Sequence, residues 1–248
     1  KLDAIILGMH AKADNPELLR AQELGLKIYS YPEFLYEHSK NKTRVVIGGS
    51  HGKTTITSMI LHVLKYHEID VDFMVGAQLE GFDRMVHLTS ENEVIVLEGD
   101  EYLSSPIDLR PKFHLYQANI ALISGIAWDH INVFPTFENY LDQFRVFVDT
   151  IVKGGTIIYN REDPEVRKVV EESANQVKKY PYGTPSYRIE DGMTLLETSE
   201  GEIPLEIFGG HNLQNLEGAR SICFHLGVGE EEFYEAITDF SGASKMLE

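Results

Sequence analysis

Lys53 and Thr54 are the residues whose types and surroundings suggest chemistry first. They close the run Val45-Val46-Ile47-Gly48-Gly49-Ser50-His51-Gly52-Lys53-Thr54-Thr55. An apolar stretch, Arg44 to Ile47, precedes the glycines, and an apolar-periodic segment, Ile56 to Tyr66, follows the threonines. That order reads as strand, tight turn, helix. Glycines let backbone N–H groups curl around a phosphate without Cβ clashes, and the new helix points its positive end at the same anion. Lys53 adds a full charge near terminal phosphates, and the Thr54 hydroxyl suits a Mg²⁺ ion. The general phosphate-loop pattern places a further glycine where Ile47 stands, so this loop is a compact variant, Gly49-x-x-Gly52-Lys53-Thr54-Thr55. A tight strand–helix turn with a surface lysine is the alternative. The order of strand, glycines, lysine and threonine favours the phosphate.

Three further stretches offer polar groups at places where a ligand would meet them. The apolar run Val94–Leu97 switches abruptly to Glu98, Asp100 and Glu101. Ligands of parallel sheets bind beyond the carboxyl ends of the strands, so a carboxylate there, beside a phosphate loop, is a natural Mg²⁺ ligand. A solvated acidic loop is the competing account. The apolar run Ile120–Ile123 leads in the same way to Asp129 and His130, and the placement favours a ligand role for the imidazole. Gly209-Gly210-His211-Asn212 opens a helix on which Asn212 and Asn215, three apart, share a face. An Asn amide offers a donor and an acceptor together, as an adenine edge requires. Taken alone, helix capping by Asn212 is the simpler account.

The elements that must position these groups follow from periodicity. Short apolar runs at Asp72–Val75, Glu93–Leu97, Ile120–Ser124 and Thr156–Tyr159 alternate with helical patterns at Thr54–Tyr66, Phe137–Val152 and Pro164–Glu172. This predicts an α/β fold, a mostly parallel sheet flanked by helices. From 177 to 208 the texture changes to short alternating segments separated by Gly183, Gly192 and Gly201, which predict a small antiparallel β subregion. Two helices, Asn212–Leu226 and Glu230–Phe240, close the chain. Before the loop, Ala4–Leu7 and Leu26–Tyr29 read as strands, with a helix opened by Asn15-Pro16-Glu17 between them and a short helix over Pro32–His38. That is a partial Rossmann-like unit.

Composition narrows the function. With 248 residues and a formal net charge of −17, a general nucleic-acid or anionic-membrane surface is disfavoured, while a nucleotide site, which needs only local positive potential, is not. A single cysteine, Cys223, leaves no intrachain disulfide and suits a reducing cytoplasmic setting. No apolar run approaches the roughly 20 residues of a membrane span. The chain opens at Lys1 almost directly on a strand and is expected to be a piece with an upstream part missing.

Together the four motifs resemble those of the Mur ligases, the ATP-dependent amide-bond-forming ligases of peptidoglycan synthesis. GGSHGKTT is similar to that family's GTHGKTT loop, LEGDEY to its EADES or EADEY strand end, AWDH to its N-x-x-x-DH segment, and GGHNLQN to its G-x-HN-x-x-N adenine element. GASKMLE resembles the junction to the family's third domain. Two positions depart from the pattern: Gly125 replaces an Asn and Ala127 a Glu. HAKADNPELLRAQELGLKI resembles the branches that join L-alanine or a recycled tripeptide to UDP-N-acetylmuramate, and LEGDEY with RPKFHLYQ leans towards the tripeptide branch.

The resemblance implies a division into 1–41, the end of a UDP-substrate domain; 42–242, the ATP-binding domain; and 243–248, the start of a third. It implies ATP and Mg²⁺, with UDP-N-acetylmuramate and an amino acid or tripeptide as partners. Gly49, Ser50, His51, Gly52, Lys53, Thr54 and Thr55 would cradle the phosphates; His211, Asn212 and Asn215 would take the adenine. Thr54 and Glu98 would hold one metal and His130 a second, making Lys53, Glu98 and His130 the catalytic set. Some branches carry a carbamylated lysine near the second metal. No lysine lies between Asp129 and Lys153, so none is expected. The chain alone is expected to bind nucleotide without turning over. A P-loop small-molecule kinase and a non-catalytic nucleotide-binding module are the readings from other classes.

Overall fold

Local signals in the first 40 residues build a small unit. In this computed structural model, which describes residues 2–79, 81–199, 201–207, 209–238 and 240, strand β1 (Ala4–Leu7) runs parallel to β2 (Lys27–Ser30). Helix α1 (Pro16–Glu23) joins them. The Asn15 side chain caps α1 by accepting from the backbone of Glu17 and Leu18, and Pro16 occupies its first turn. Helix α2 (Tyr31–Ser39) opens on a capping box in which Ser30 and Glu33 satisfy one another's backbone N–H.

The chain then enters the main sheet through β3 (Thr43–Gly48), and α3 (Lys53–Tyr66) follows the glycine turn. Next come β4 (Asp72–Met74), β5 (Val86–His87), β6 (Val94–Gly99), the hairpin β7 (Leu103–Ser105) and β8 (Asp108–Pro111), and the single turn α4 (Lys112–Leu115). Strand β9 (Ile120–Ile123), helix α5 (Phe137–Thr150), β10 (Thr156–Asn160), α6 (Pro164–Glu172) and β11 (Lys178–Tyr182) continue the alternation. Strands β12 (Tyr187–Glu190), β13 (Met193–Thr198) and β14 (Gly201–Leu205) form a separate antiparallel sheet, and α7 (Gly210–His225) and α8 (Glu230–Ile237) finish the described chain.

The seven-stranded sheet has the order β11-β10-β9-β3-β6-β4-β5, parallel throughout except for β5 at its edge. Successive side chains of a strand face opposite sides, and here both sides are buried. Val45, Ile47, Val96 and Leu122 pack with α3, α7 and α8. Val46, Ile95, Leu97 and Ile123 pack with α4, α5 and α6 on the other face. The register sets Gly48 opposite Gly99 and also opposite Ile123, so β3, β6 and β9 end at one level. No described helix is long and apolar enough to cross a membrane.

A buried arginine and a half-buried lysine fix the start of β3. Arg44, 4% exposed, donates to the Ser39, Lys40 and Lys42 carbonyls on one side and to those of Tyr116 and Gln117 on the other. Lys42 Nζ lies 2.5 Å from Asp72 Oδ2. Burial alone would raise the Asp72 carboxyl, but Lys42, Thr89 and Asn92 hydrogen-bond the charged form and hold it below its ordinary value.

The expected α/β architecture, with a small antiparallel region, is present. Within it, 177–208 is not wholly antiparallel: β11 adds as a parallel strand at the sheet edge, and only 187–205 forms hairpins. The β7–β8 hairpin and α4 were not anticipated, being too short to leave a periodic signal. The GASKMLE stretch lies outside the described residues.

Candidate active site

The common level of the three strand ends creates the site. Directly after β3, Gly49 takes φ +136°, and a Cβ there would lie 2.1 Å from Ser124 Oγ. Gly52 takes φ +77°, and its Cβ would lie 2.4 Å from Asn215 Oδ1. Both positions need glycine, because L side chains avoid these angles and there is no room for one. Gly52 is also the N-cap of α3, which has neither a side-chain cap nor an acidic residue in its first turn. Its first N–H groups thus lack the usual side-chain partners, which is the condition for binding an anion.

Each expected loop residue can be placed. Lys53 Nζ donates to the Gly49 carbonyl (2.6 Å) and to Glu101 Oε2 (2.8 Å). Thr54 Oγ1 donates to Glu98 Oε1 (2.9 Å). Thr55 completes the first turn of α3, its carbonyl accepting from the Ser58 hydroxyl. Ser50 and His51 are tied to the end of β9. The Ser50 N–H donates to the Gly125 carbonyl (2.9 Å), the Ala127 N–H donates to Ser50 Oγ (2.8 Å), and Ser124 Oγ donates to the His51 carbonyl. The His51 ring lies over Gly125, where a Cβ would come within 2.3 Å of Nε2. The two departures from the family pattern, Gly125 and Ala127, therefore fall where this loop seats itself on β9. Burial, and then the nearby His211, hold the His51 imidazole below its ordinary value.

Strand β6 delivers the carboxylates. Glu98 is still within the strand and 9% exposed; its Oε2 accepts the Gly76 N–H (3.0 Å) while Oε1 accepts Thr54. Asp100 and Glu101 follow in the turn. Lys112 hydrogen-bonds Asp100 and, against the effect of burial, holds its carboxyl below the ordinary value. Glu101 is 1% exposed and accepts from Tyr140 Oη of α5 at 3.0 Å. Burial first, and then this carboxylate, push the Tyr140 phenol well above its ordinary value, so it stays a donor at any working pH.

His130 reaches the same place from β9. Its Nε2 lies 3.7 Å from Glu101 Oε1, and its ring meets that of Tyr102 at 4.9 Å. Its backbone takes φ +53°, a left-handed angle unusual for a non-glycine residue. One ligand atom each of Asp100, Glu101 and His130 falls within 4.8 Å of the others. Lys53, Glu98 and His130 thus face one region, bridged by Glu101 and Thr54. His130 is placed against Glu101 rather than Glu98.

Helix α7 closes the other side. Its N-cap is Gly209, without a side-chain cap, so Asn212 lies inside the first turn and is not the cap. Asn215 is 9% exposed with its amide against Gly52. His211 is exposed, its ring 6.2 Å from that of His51.

The donor sets suit the groups expected of them. Thr54 and Glu98 present oxygens, as a hard Mg²⁺ ion prefers, and a loop with glycine at Gly49 and Gly52, ahead of a helix N-terminus with no side-chain cap, suits a phosphate chain. Sequence reasoning did not single out the roles of Glu101, Tyr140 and Lys112. Glu101 was visible only as one of three acids, and its two partners come from residues 48 and 39 positions away.

The family described as Mur ligase middle domain matches residues 47–223. The UDP-N-acetylmuramate–L-alanine ligase of Caldicellulosiruptor saccharolyticus is 33% identical over 95% of this chain and 53% of its own length. That of Dictyoglomus turgidum is 28% identical over 100% of this chain and 54% of its own length. The chain thus spans about half the length of the relatives it matches in sequence. In structure it is similar to the UDP-N-acetylmuramate:L-alanyl-γ-D-glutamyl-meso-diaminopimelate ligase from Neisseria meningitides. That match has a TM-score of 0.83 and 25% identity, covering 96% of this chain and 79% of that one.

Proposed function

This chain belongs to the Mur ligase family, and we infer that it carries the ATP-binding and phosphoryl-transfer part of a ligase joining the carboxylate of UDP-N-acetylmuramate to an amine. Residues 42–242 serve as the ATP domain, 1–41 as the end of the UDP-substrate domain, and 243–248 as the beginning of a third. The observation carrying this reading is the shared strand-end level that gathers Lys53, Thr54, Glu98, Glu101 and His130.

In the proposed reaction the muramate carboxylate attacks the γ-phosphorus of ATP and ADP leaves. The amine then attacks the acyl carbon of the acyl phosphate and phosphate departs. The first step brings two anions together, so its barrier is largely electrostatic. Lys53 offsets that repulsion with a charge held at the mouth of the loop. The loop and α3 N–H groups hold the phosphates in line. Asn215, with His51 and His211 nearby, takes the base side of the nucleotide. Mg²⁺, held by Thr54 and Glu98 and by His130, would neutralise charge shared by the phosphates and the carboxylate.

For the amine, the sequence relatives carry the L-alanine name, which favours L-alanine over the tripeptide expected from LEGDEY and RPKFHLYQ. The likeness in shape to the Neisseria ligase keeps the tripeptide as a second reading. ADP release by the full-length protein, measured with UDP-N-acetylmuramate and either amine, tests both. Release that saturates with L-alanine is expected. Release with the tripeptide alone would reverse the choice of amine. Release that ignores every amine would point to a kinase and remove the ligase reading.

A further inference from the structure

The Glu101 carboxylate holds three neighbours from three separate segments. Tyr140 Oη donates to Oε1 (3.0 Å), Lys53 Nζ donates to Oε2 (2.8 Å), and His130 Nε2 stands 3.7 Å from Oε1. Its neighbour Asp100 is already matched by Lys112. Glu101 has Lys53 as its ammonium partner, and that ammonium is also the one aimed at the phosphate loop. A phosphate that draws Lys53 away leaves a carboxylate only 1% exposed with one neutral hydroxyl donor. An uncompensated buried charge is costly, so a second positive charge has to take the place of the first. Tyr140 and His130 both stand at Oε1, so the oxygen left bare is Oε2, and a cation beside this carboxylate would find ligand atoms of Glu101, His130 and Asp100 within 4.8 Å of one another.

We propose that Glu101 is a positioning residue. It holds Lys53 at the loop while nucleotide is absent, and it makes the transfer of Lys53 to phosphate depend on a divalent cation arriving beside Glu101 and His130. Nucleotide and this cation then bind cooperatively, because each relieves the charge imbalance the other creates. The inference rests on the nucleotide reading of the site given above.

Titration calorimetry of the full-length protein with a non-hydrolysable ATP analogue, in EDTA and in Mg²⁺, tests it. Glu101→Gln keeps the shape of the side chain and its acceptor for Tyr140. With the carboxylate's hold on Lys53 gone, it should bind the analogue about tenfold more tightly than wild type in EDTA, and the gain from Mg²⁺ should shrink. Tyr140→Phe takes away the other donor, leaves Glu101 more dependent on Lys53, and should weaken binding in EDTA while enlarging the gain from Mg²⁺. A merely structural role for the cluster would weaken binding in both variants and both conditions. Equal or weaker binding by Glu101→Gln in EDTA overturns the proposal while leaving nucleotide binding intact. Failure of the wild-type protein to bind the analogue in either condition removes the nucleotide reading and this inference with it.

Discussion

Lys53→Ala should lower amine-dependent ADP release in the full-length protein by about 10³-fold, the scale seen when one preorganised electrostatic contact to a transition state is lost. The ammonium stands at the loop, 2.6 Å from the Gly49 carbonyl, and no other described cation lies within hydrogen-bonding distance of that carbonyl. Water filling the space would screen the approaching anions poorly compared with a fixed charge. The substitution also leaves the buried Glu101 with Tyr140 alone, so a loss of stability accompanies the loss of rate. Adding Glu101→Gln to Lys53→Ala removes the stranded charge and should restore the melting temperature without restoring turnover. Turnover near the wild-type rate in a folded Lys53→Ala protein would take Lys53 out of the chemistry.

The largest effect on stability is expected at Arg44. The guanidinium is 4% exposed, and its Nε, Nη1 and Nη2 donate to five carbonyls at 2.8–3.1 Å. Ser39 and Lys40 are the last residue and C-cap of α2, and Tyr116 is the C-cap of α4. Arg44 therefore satisfies the end carbonyls of two helices and meets the negative ends of both dipoles. Burial lowers its affinity for the proton, but an arginine remains charged regardless. Arg44→Met fills similar volume and strands those carbonyls. It should cost on the order of 3–5 kcal/mol, read as a lower urea midpoint at unchanged slope. Arg44→Lys should recover only part of this, because an ammonium lacks the planar fork that reaches both helices. A shift below about 1 kcal/mol would mean that water or a rearranged turn replaces the guanidinium.

Arg44 also shows where reading the sequence stops. It looked like the first residue of an apolar strand, and nothing beside it in the chain hints at helix ends more than 70 positions later. The element types were legible because each depends on neighbours: Asn15 and Pro16 start α1, and the apolar run into glycines ends β3. Glu98 and His130 are legible as candidates because each comes after an apolar run, although Glu98 still lies inside its strand. What brings them together is the register of β3 against β6 and β9, a non-local property that no single strand encodes. The same limit explains Asp100 and Glu101. They are adjacent in the chain, yet one pairs with Lys112 and the other with Lys53, because the turn after Gly99 sends them to different sides. Strand β11 reads in sequence as part of a hairpin for a related reason. Its KKYPY pattern is mostly exposed, as a parallel edge strand can also be, and only its pairing with β10 distinguishes the two.

A crystal structure of the full-length protein with Mg²⁺ and a non-hydrolysable ATP analogue is the most direct measurement of all. The γ-phosphate should lie within hydrogen-bonding distance of Lys53 Nζ, with the base beside Asn215 and a cation shared by Thr54 and Glu98. A triphosphate bound elsewhere, with Lys53 still on Glu101 and the loop bare, would contradict the assignment of this strand-end pocket.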